Sequence, residues 1–404
     1  MGNQKQETGE PFSPPRILLM SRGLARYRLS LTEALAEAFH GEVQIVASPS
    51  PWNTGLWEVN WEELKDRKGA LLFREVQGIA FSEFVKALIR RLIRGTEREQ
   101  LDAKKLAVST ICPDLIAIHE YSWAMVKLAL YARLAGIPCL VFTELGRAGS
   151  QHGIGWFTRF NHAIGAWLTM AQVAHTPAAK QPFGASHRPV FYLPYAVHAG
   201  EFTEKPRVSK ADEIRILLVG QFIPRKGADL LLKALKSIHG KTLRPFRLRL
   251  VGNQDDLWIR REVQKSGLGA MVDIAGIKQG KDLLEEYHHA DIFVLPSRFD
   301  TYGVVVHEAA SCGLPLLVSR HAGSAQALVH NGDNGWVIDP EDTHEFSRLL
   351  QVLIEDPGLR DLMGNRSREI AVEMCISRQA KELASWIKTM MPCRGAVGVF
   401  DTIP

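Results

Sequence analysis

The chain is poor in the features that mark several common protein classes. Its 404 residues hold five cysteines, and Cys112, Cys139, Cys312, Cys375 and Cys393 make no CxxC or other ligand spacing. That excludes a thiolate metal site and a disulfide framework, and a reduced, cytoplasmic compartment is the expectation. Cys139 and Cys312 sit in apolar surroundings and read as small core residues. No apolar run approaches the ~18 residues of a membrane span. The amino terminus, MGNQKQETGEPFSPP, lacks the apolar core of a signal peptide, and Gln6 stands where a myristoylation signal needs Ser or Thr. No GxGxxG with a following acid is present, so a nicotinamide enzyme is not expected. There is no GxxxxGK[ST], which excludes a P-loop protein, and no DxD pair to hold a divalent cation beside a diphosphate. His288 and His289 are adjacent on a helical pattern and cannot share a face, so no metal site is expected. The formal net charge of +5 is mild for this length and implies no nucleic-acid partner.

What is present is the pattern of a soluble two-domain protein, with 46% hydrophobic and 23% charged residues. Short apolar runs alternate with helical patterns. The first series is RILLM (16–20), VQIVA (43–47), DLIAIH (114–119), PCLVFT (138–143) and VFYLP (190–194). The second is IRILLVG (214–220), RLRLVG (247–252), VDIAG (272–276), DIFVLP (291–296) and LPLLVS (314–319). These runs are continuous rather than alternating, as parallel strands covered on both faces require. Helical patterns such as LTEALAEAF, ADLLLKALKSI and KDLLEEYHHA separate most of them. The fold class is therefore α/β, with two Rossmann-like, doubly wound parallel-sheet domains. The expected division is a disordered tail (1–14), an amino-terminal domain (15–200), a polar linker (201–213), a carboxy-terminal domain (214–376), and a terminal helix and tail (377–404). That last helix is a candidate to pack back on the amino-terminal domain.

Ligands of open α/β sheets collect beyond the carboxyl ends of the strands. In the second half those ends read Gly220-Gln221, then Pro224-Arg225-Lys226-Gly227; Gly252-Asn253-Gln254; and Ser297 through Gly303. The stretch FDTYGVVVHEAASCGLP (299–315) places Asp300 before a helix start near Gly303-Val304 and Glu308 a turn inside it. Helix-start amides and the dipole favour an anion there, and Gly303 has no Cβ to keep it away. The two carboxylates suit hydroxyls flanking a diphosphate. Taken alone, Asp300 reads equally as a helix cap and Glu308 as a solvated position. The apolar run VVVHEAASCG around Glu308 argues for a mostly buried acid, which needs a partner.

The second half resembles the nucleotide-binding domain of the family 4 retaining glycosyltransferases, which have the GT-B fold. The runs VGQFIPRKGADLLLKAL, VDIAG and YHHADIFVLPSRFDTYGVVVHEAASCGLPLLVSRHAGSAQALVHNGDNGWVIDP carry the resemblance, over about residues 214–375. It implies two domains facing across a cleft and a donor that is a UDP-, GDP- or ADP-sugar, with no permanently bound cofactor and no metal. It implies Glu308 on the ribose hydroxyls, Asp300 on the donor sugar, and the backbone of Tyr302, Gly303 and Val304 on the diphosphate. Lys226 matches the second cation of the family's pair, and Gln221 stands where the first, usually Arg, is found; Arg225 is the candidate to compensate. Lys226 then neutralises the leaving diphosphate.

The amino half resembles the family more loosely. RILLMSRGLARYRLSLTEALAEAF has only Gly23 of the paired glycines after the first strand. Thr143 and Glu144 stand where many members have a histidine, which makes Glu144 a catalytic candidate near the anomeric carbon or the acceptor. His119 and Glu120, ending the strand DLIAIH, are further cleft candidates, each as readily structural. FSEFVKALIRRLIRG (81–95) reads as a basic amphipathic helix, either packed on the core or in peripheral contact with a membrane. PWNTGLWEVNWEE (51–63) reads as an acceptor-side loop. The function expected is transfer of a sugar, of hexosyltransferase type, to a glycan, lipid-linked or small-molecule hydroxyl with retention of configuration. The alternatives are an epimerase or hydrolase of sugar nucleotides on the same scaffold, and a catalytically weak GT-B-like binding or partner subunit.

Overall fold

The computed structural model describes residues 16–22, 26–39, 43–48, 71–75, 113–145, 155–181, 188–197, 202, 213–252 and 257–391. The tail 1–14, Gly23, the stretches 51–63 and 81–95, and Asn253 and Gln254 lie outside them.

Two parallel sheets form the molecule. The first has seven strands: β1 (Ile17–Arg22), β2 (Val43–Ser48), β3 (Leu71–Glu75), β4 (Leu115–His119), β5 (Cys139–Thr143), β6 (Ala171–Ala174) and β7 (Val190–Tyr192). Their spatial order is β3-β2-β1-β4-β5-β6-β7. The second has six: β8 (Ile214–Val219), β9 (Phe246–Val251), β10 (Val272–Ile274), β11 (Ile292–Leu295), β12 (Leu316–Ser319) and β13 (Gly335–Ile338), in the order β10-β9-β8-β11-β12-β13. Both sheets are doubly wound, and the order reverses next to β1 in one and next to β8 in the other. Three strands escape the apolar-run reading: β3, β6 and β13. β6, AQVA, carries a glutamine, yet all four residues are buried. Gln172 tolerates this because its Nε2 donates to the Ala179 carbonyl at 2.5 Å.

The continuous apolar runs are needed because each strand feeds two cores. Along β1, Ile17 and Leu19 face one cluster with Leu35 and Phe39 of helix α1 (Arg26–Phe39). Leu18 and Met20 face the other, with Met125 and Leu128 of helix α2 (Trp123–Leu134). Helix α3 (Trp156–Leu168) lies beside α2, with Leu168 in the same cluster. In β8, Ile216 and Leu218 face one core and Leu217 and Val219 the other. The carboxy domain adds α4 (Ala228–Ile238), α5 (Leu257–Ser266), α6 (Gly280–His288), α7 (Val305–Ser311), α8 (Ala325–Leu328), α9 (Thr343–Glu355) and α10 (Pro357–Glu373). The last helix, α11 (Ile376–Met390), crosses back to the first sheet. Its Ile376, Ala380, Leu383 and Ile387, spaced at i, i+4, i+7 and i+11, enter the α1 cluster. Among the described residues no helix is long and apolar enough to cross a membrane.

Candidate active site at the strand-order reversals

The crevice between β8 and β11 is where a doubly wound sheet takes its ligand. Beyond β8 the chain runs through Gln221 into a single 3-10 turn, Pro224–Lys226, closed by Gly227. Gly227 has φ +73°, and a Cβ there would lie 2.0 Å from the Pro296 carbonyl oxygen. Only glycine lets this turn close against the end of β11. The closure puts Lys226 over the 297–303 loop, where its Nζ is hydrogen-bonded to Asp300 Oδ2. The lysine and aspartate side chains are 16% and 9% exposed, so this is a largely desolvated ion pair. Arg225 donates through Nη1 to the Phe299 carbonyl at 2.9 Å. Arg298 braces the turn: it donates to the Pro224 carbonyl at 2.7 Å and forks onto Asp229 at 2.8 and 2.7 Å.

The loop that holds Asp300 is itself fixed by backbone. The Asp300 amide donates to His321 O at 3.0 Å, Gly323 N donates to Asp300 O at 3.2 Å, and Ser324 N donates to Tyr302 O at 2.8 Å. Gly303 has φ +85°, and a Cβ would meet Leu295 Cδ2 at 2.8 Å. Helix α7 begins two residues later; Val306 N and His307 N already donate to Gly303 O and Val304 O at 3.0 and 2.9 Å, which leaves the Gly303, Val304 and Val305 amides at its positive end. Glu308 in α7 accepts a 2.6 Å hydrogen bond from the Tyr287 hydroxyl. Tyr287 is fully buried, and burial, then the Glu308 charge, raises its pKa well above the phenol range. Glu308 itself is half-buried rather than mostly buried as its apolar run suggested, and this phenol is a partner that its carboxylate finds.

On the amino side, β4 ends at His119 and the next residue, Glu120, has φ +58°. A non-glycine residue in the left-handed region at a sheet's ligand edge marks a constrained position. Its carboxylate accepts from Thr143 Oγ1 at 2.9 Å and from the Glu144 amide at 2.6 Å. Burial, then the neighbouring Glu144 charge, pushes its pKa up to about 7. Glu144 accepts from Arg28 Nη2 at 3.2 Å and from the Tyr195 hydroxyl at 2.7 Å. Tyr195 lies flat on His175, with ring centroids 4.0 Å apart, and His175 stacks on His119 at 5.8 Å. Burial holds His119 well below the usual imidazole range and His175 down to about 3, so both are neutral.

Tyr195 also joins the two halves. Its carbonyl accepts the Tyr302 hydroxyl at 2.8 Å, and the two rings meet edge to face at 5.1 Å. One residue therefore touches Glu144 of the amino side and the Asp300–Gly303 loop of the carboxy side.

Lys226, Arg225 and Asp300 are tied together through the 297–303 loop, with Gly303 beside Asp300 and Val304 next in the chain, and Gln221 stands at the end of β8; the Tyr302 side chain turns to Tyr195, and Glu308 lies further into α7 against Tyr287. Glu120 and Glu144 meet at the facing edge, and His119 lies under them in the ring stack, 7% exposed. The sequence reading gave Lys226 and Asp300 to different parts of the ligand; here they grip one another. Arg28, Tyr195, Arg298 and Asp229 escaped that reading. Arg28 carried a usable signal: a cation in the first turn of α1 opposes the helix dipole, as Lys226 does at the head of α4. Among the described residues no group of three or more His, Cys, Asp or Glu is placed to hold a metal.

Residues 201–370 match the sequence profile of the family described as glycosyl transferases group 1. Over 370 residues the chain is 24% identical to the glycogen synthase of Mycobacterium tuberculosis, covering 88% of this chain and 87% of that one. The fold is similar to Anabaena HepE, solved in complex with UDP and glucose, at a TM-score of 0.69 and 15% identity, covering 93% of this chain and all of that one. It is also similar to the sucrose-phosphate synthase of Thermosynechococcus elongatus, at 0.68 and 18%, covering 93% and 99%. The architecture is GT-B, and the carboxy-terminal half is similar to the group 1 glycosyl transferases.

Proposed function

Because residues 201–370 match the profile of the group 1 glycosyl transferases, we propose that the chain is a retaining glycosyltransferase. It moves a sugar, of hexosyl type, from a nucleoside-diphosphate donor to a hydroxyl of a glycan, lipid-linked or small-molecule acceptor. The observation that carries this reading is the Gly227-closed turn, which sets Lys226 opposite the Gly303 start of α7 across the β8/β11 crevice. The fit of that space to a diphosphate rests on one lysine, the helix-start amides and a glycine without Cβ. UDP in the HepE complex supports a nucleoside diphosphate of the UDP, GDP or ADP class as the donor's leaving part.

In the proposed course, the diphosphate takes Lys226 from Asp300. The freed Asp300 carboxylate accepts a hydroxyl of the donor sugar, and Glu308, steadied by Tyr287, accepts the ribose hydroxyls. The bond from the anomeric carbon to the phosphate oxygen breaks as Lys226 and the amides take up the developing charge. The acceptor oxygen bonds to the same face of that carbon, and its proton passes to the departing phosphate oxygen. Lysine and amides supply the charge stabilisation, so no metal is required. Glu120 and Glu144 stand on the acceptor side. The stereochemistry of the product, read by NMR of the anomeric proton, tests the scheme: the configuration of the donor is expected, and an inverted product refutes it. Donor consumption at equal rates with and without acceptor would point instead to a hydrolase or epimerase.

A further inference from the structure

Helices α2 and α3 cover one face of the amino-terminal sheet and carry the same unusual outer stripe. In α2, Trp123, Lys127, Leu130 and Leu134 follow the spacing i, i+4, i+7, i+11, and all four are exposed. In α3, Trp156, Phe160, Ala163 and Trp167 repeat that spacing, with Trp156 78% and Trp167 60% exposed. Each stripe runs about 16 Å along its helix. The two form one face, because Trp123 meets Phe157 at 6.3 Å and the Arg133 guanidinium of α2 lies 4.7 Å over the Trp167 ring of α3. Neither helix contains an acid, whereas both supply cations: Lys127, Arg133 and Arg159.

We infer that the exposed α2–α3 face docks on the surface of an anionic lipid bilayer. Charge complementarity and side-chain chemistry choose this occupant. Tryptophan is the residue of the bilayer interface, where its ring spans the apolar and polar layers. Cations on an acid-free face match anionic headgroups, each contributing about 1 kcal/mol, or about a fivefold change in partition. The apolar stripe with flanking cations is the form of an in-plane contact, here built from two helices of a folded domain. The face also ends at the cleft. Trp123 stands three residues beyond Glu120 and begins the helix that β4 leads into, so a bilayer beneath it brings lipid-borne hydroxyls to the Glu120–Glu144 edge. That last consequence rests on the glycosyl-transfer reading; the docking does not.

The test is co-sedimentation of the full chain with vesicles of phosphatidylcholine alone or mixed with phosphatidylglycerol. The wild type should pellet with the anionic vesicles and be released by salt. Trp156→Ser/Trp167→Ser should weaken binding about tenfold or more, and Lys127→Glu/Arg133→Glu by well over tenfold, with unchanged melting temperatures since all four side chains are exposed. Wild-type failure to bind overturns the inference. So does unaltered binding by both variants, which would give the contact to another segment such as 81–95. A melting temperature lowered by the Trp variant with binding intact shows a face covered by the chain itself. A dimer that dissociates in that variant, with vesicle binding intact, gives the face to a second copy. Nucleoside-diphosphate stabilisation, measured on the same samples, separates the two readings: its absence faults the donor site and leaves the docking result standing.

Discussion

Lys226 and Asp300 form a pair that a diphosphate would have to disrupt on the proposed reading, and this makes their substitution informative. The side chains are 16% and 9% exposed. Removing one member of a buried pair costs about 3–5 kcal/mol, because the other charge stays behind without compensation. Lys226→Ala strands Asp300, whose short side chain cannot reach water, so a loss of about 3 kcal/mol is expected. Asp300→Asn strands a long, flexible lysine that can turn to solvent, so about 1–2 kcal/mol is expected. The double variant should lose less than the sum, by a coupling of about 2 kcal/mol. For a domain of this size 1 kcal/mol moves the melting temperature by about 2–4 °C, so urea and thermal unfolding both resolve these steps. Ligand binding then separates the roles. A nucleoside diphosphate at ~100 times its dissociation constant stabilises by about 2.7 kcal/mol. Lys226→Ala should abolish most of that gain. Asp300→Asn should keep or increase it, because Asp300 competes with the diphosphate for the same ammonium. Additive single-variant losses, together with weaker diphosphate binding by Asp300→Asn, would refute both the pair and the exchange.

Other expectations follow from buried ionisable groups and the tight turns. His119, His162 and His175 are all held below the usual imidazole range by burial, the last two at about 4 and 3. The unfolded chain therefore binds more protons below pH ~6.5, and stability should fall on acidification by about 1.4 kcal/mol per pH unit for each imidazole; a flat urea midpoint between pH 6.5 and 5 would contradict their burial. Glu120 has the opposite sign: with its pKa raised from 4.5 to about 7, the folded state holds the extra proton, and stability drops as pH rises through that window. Glu120→Gln should thus be more stable than wild type at pH 8 by about 1–2 kcal/mol, allowing for partial solvent screening, and no different near pH 4.5; equal stability at both would remove the carboxyl from the account. Gly227→Ala places a Cβ against the Pro296 carbonyl at φ +73°, so it should cost about 3 kcal/mol or more and lower transferase activity with it; a neutral variant would mean that the turn is not locked to β11.

The sequence carried the carboxy-terminal site further than the amino-terminal one for a physical reason. Gly227, Gly303 and the start of α7 are local backbone devices, and spacing alone locates such devices. Glu308 in an apolar run announced a need for a partner, though nothing local could name Tyr287, which comes from the helix before β11. The Lys226–Asp300 pair was equally hidden, since two residues 74 apart in sequence meet only when β8 and β11 lie side by side. On the amino side the connections are longer. Glu144 is held by Arg28 from α1 and by Tyr195 after β7, and no run of residues contains all three. Strand β6 was missed because Gln172 breaks its apolar run while finding its acceptor internally.

The most direct test of the central claim is backbone hydrogen exchange of the full chain with and without UDP, GDP and ADP. At least one of the three should protect both the 221–227 turn and the 301–306 segment, the two walls of the β8/β11 crevice. Protection confined to the amino-terminal sheet, or none with any of the three, would contradict a nucleotide-sugar site at this place in the fold.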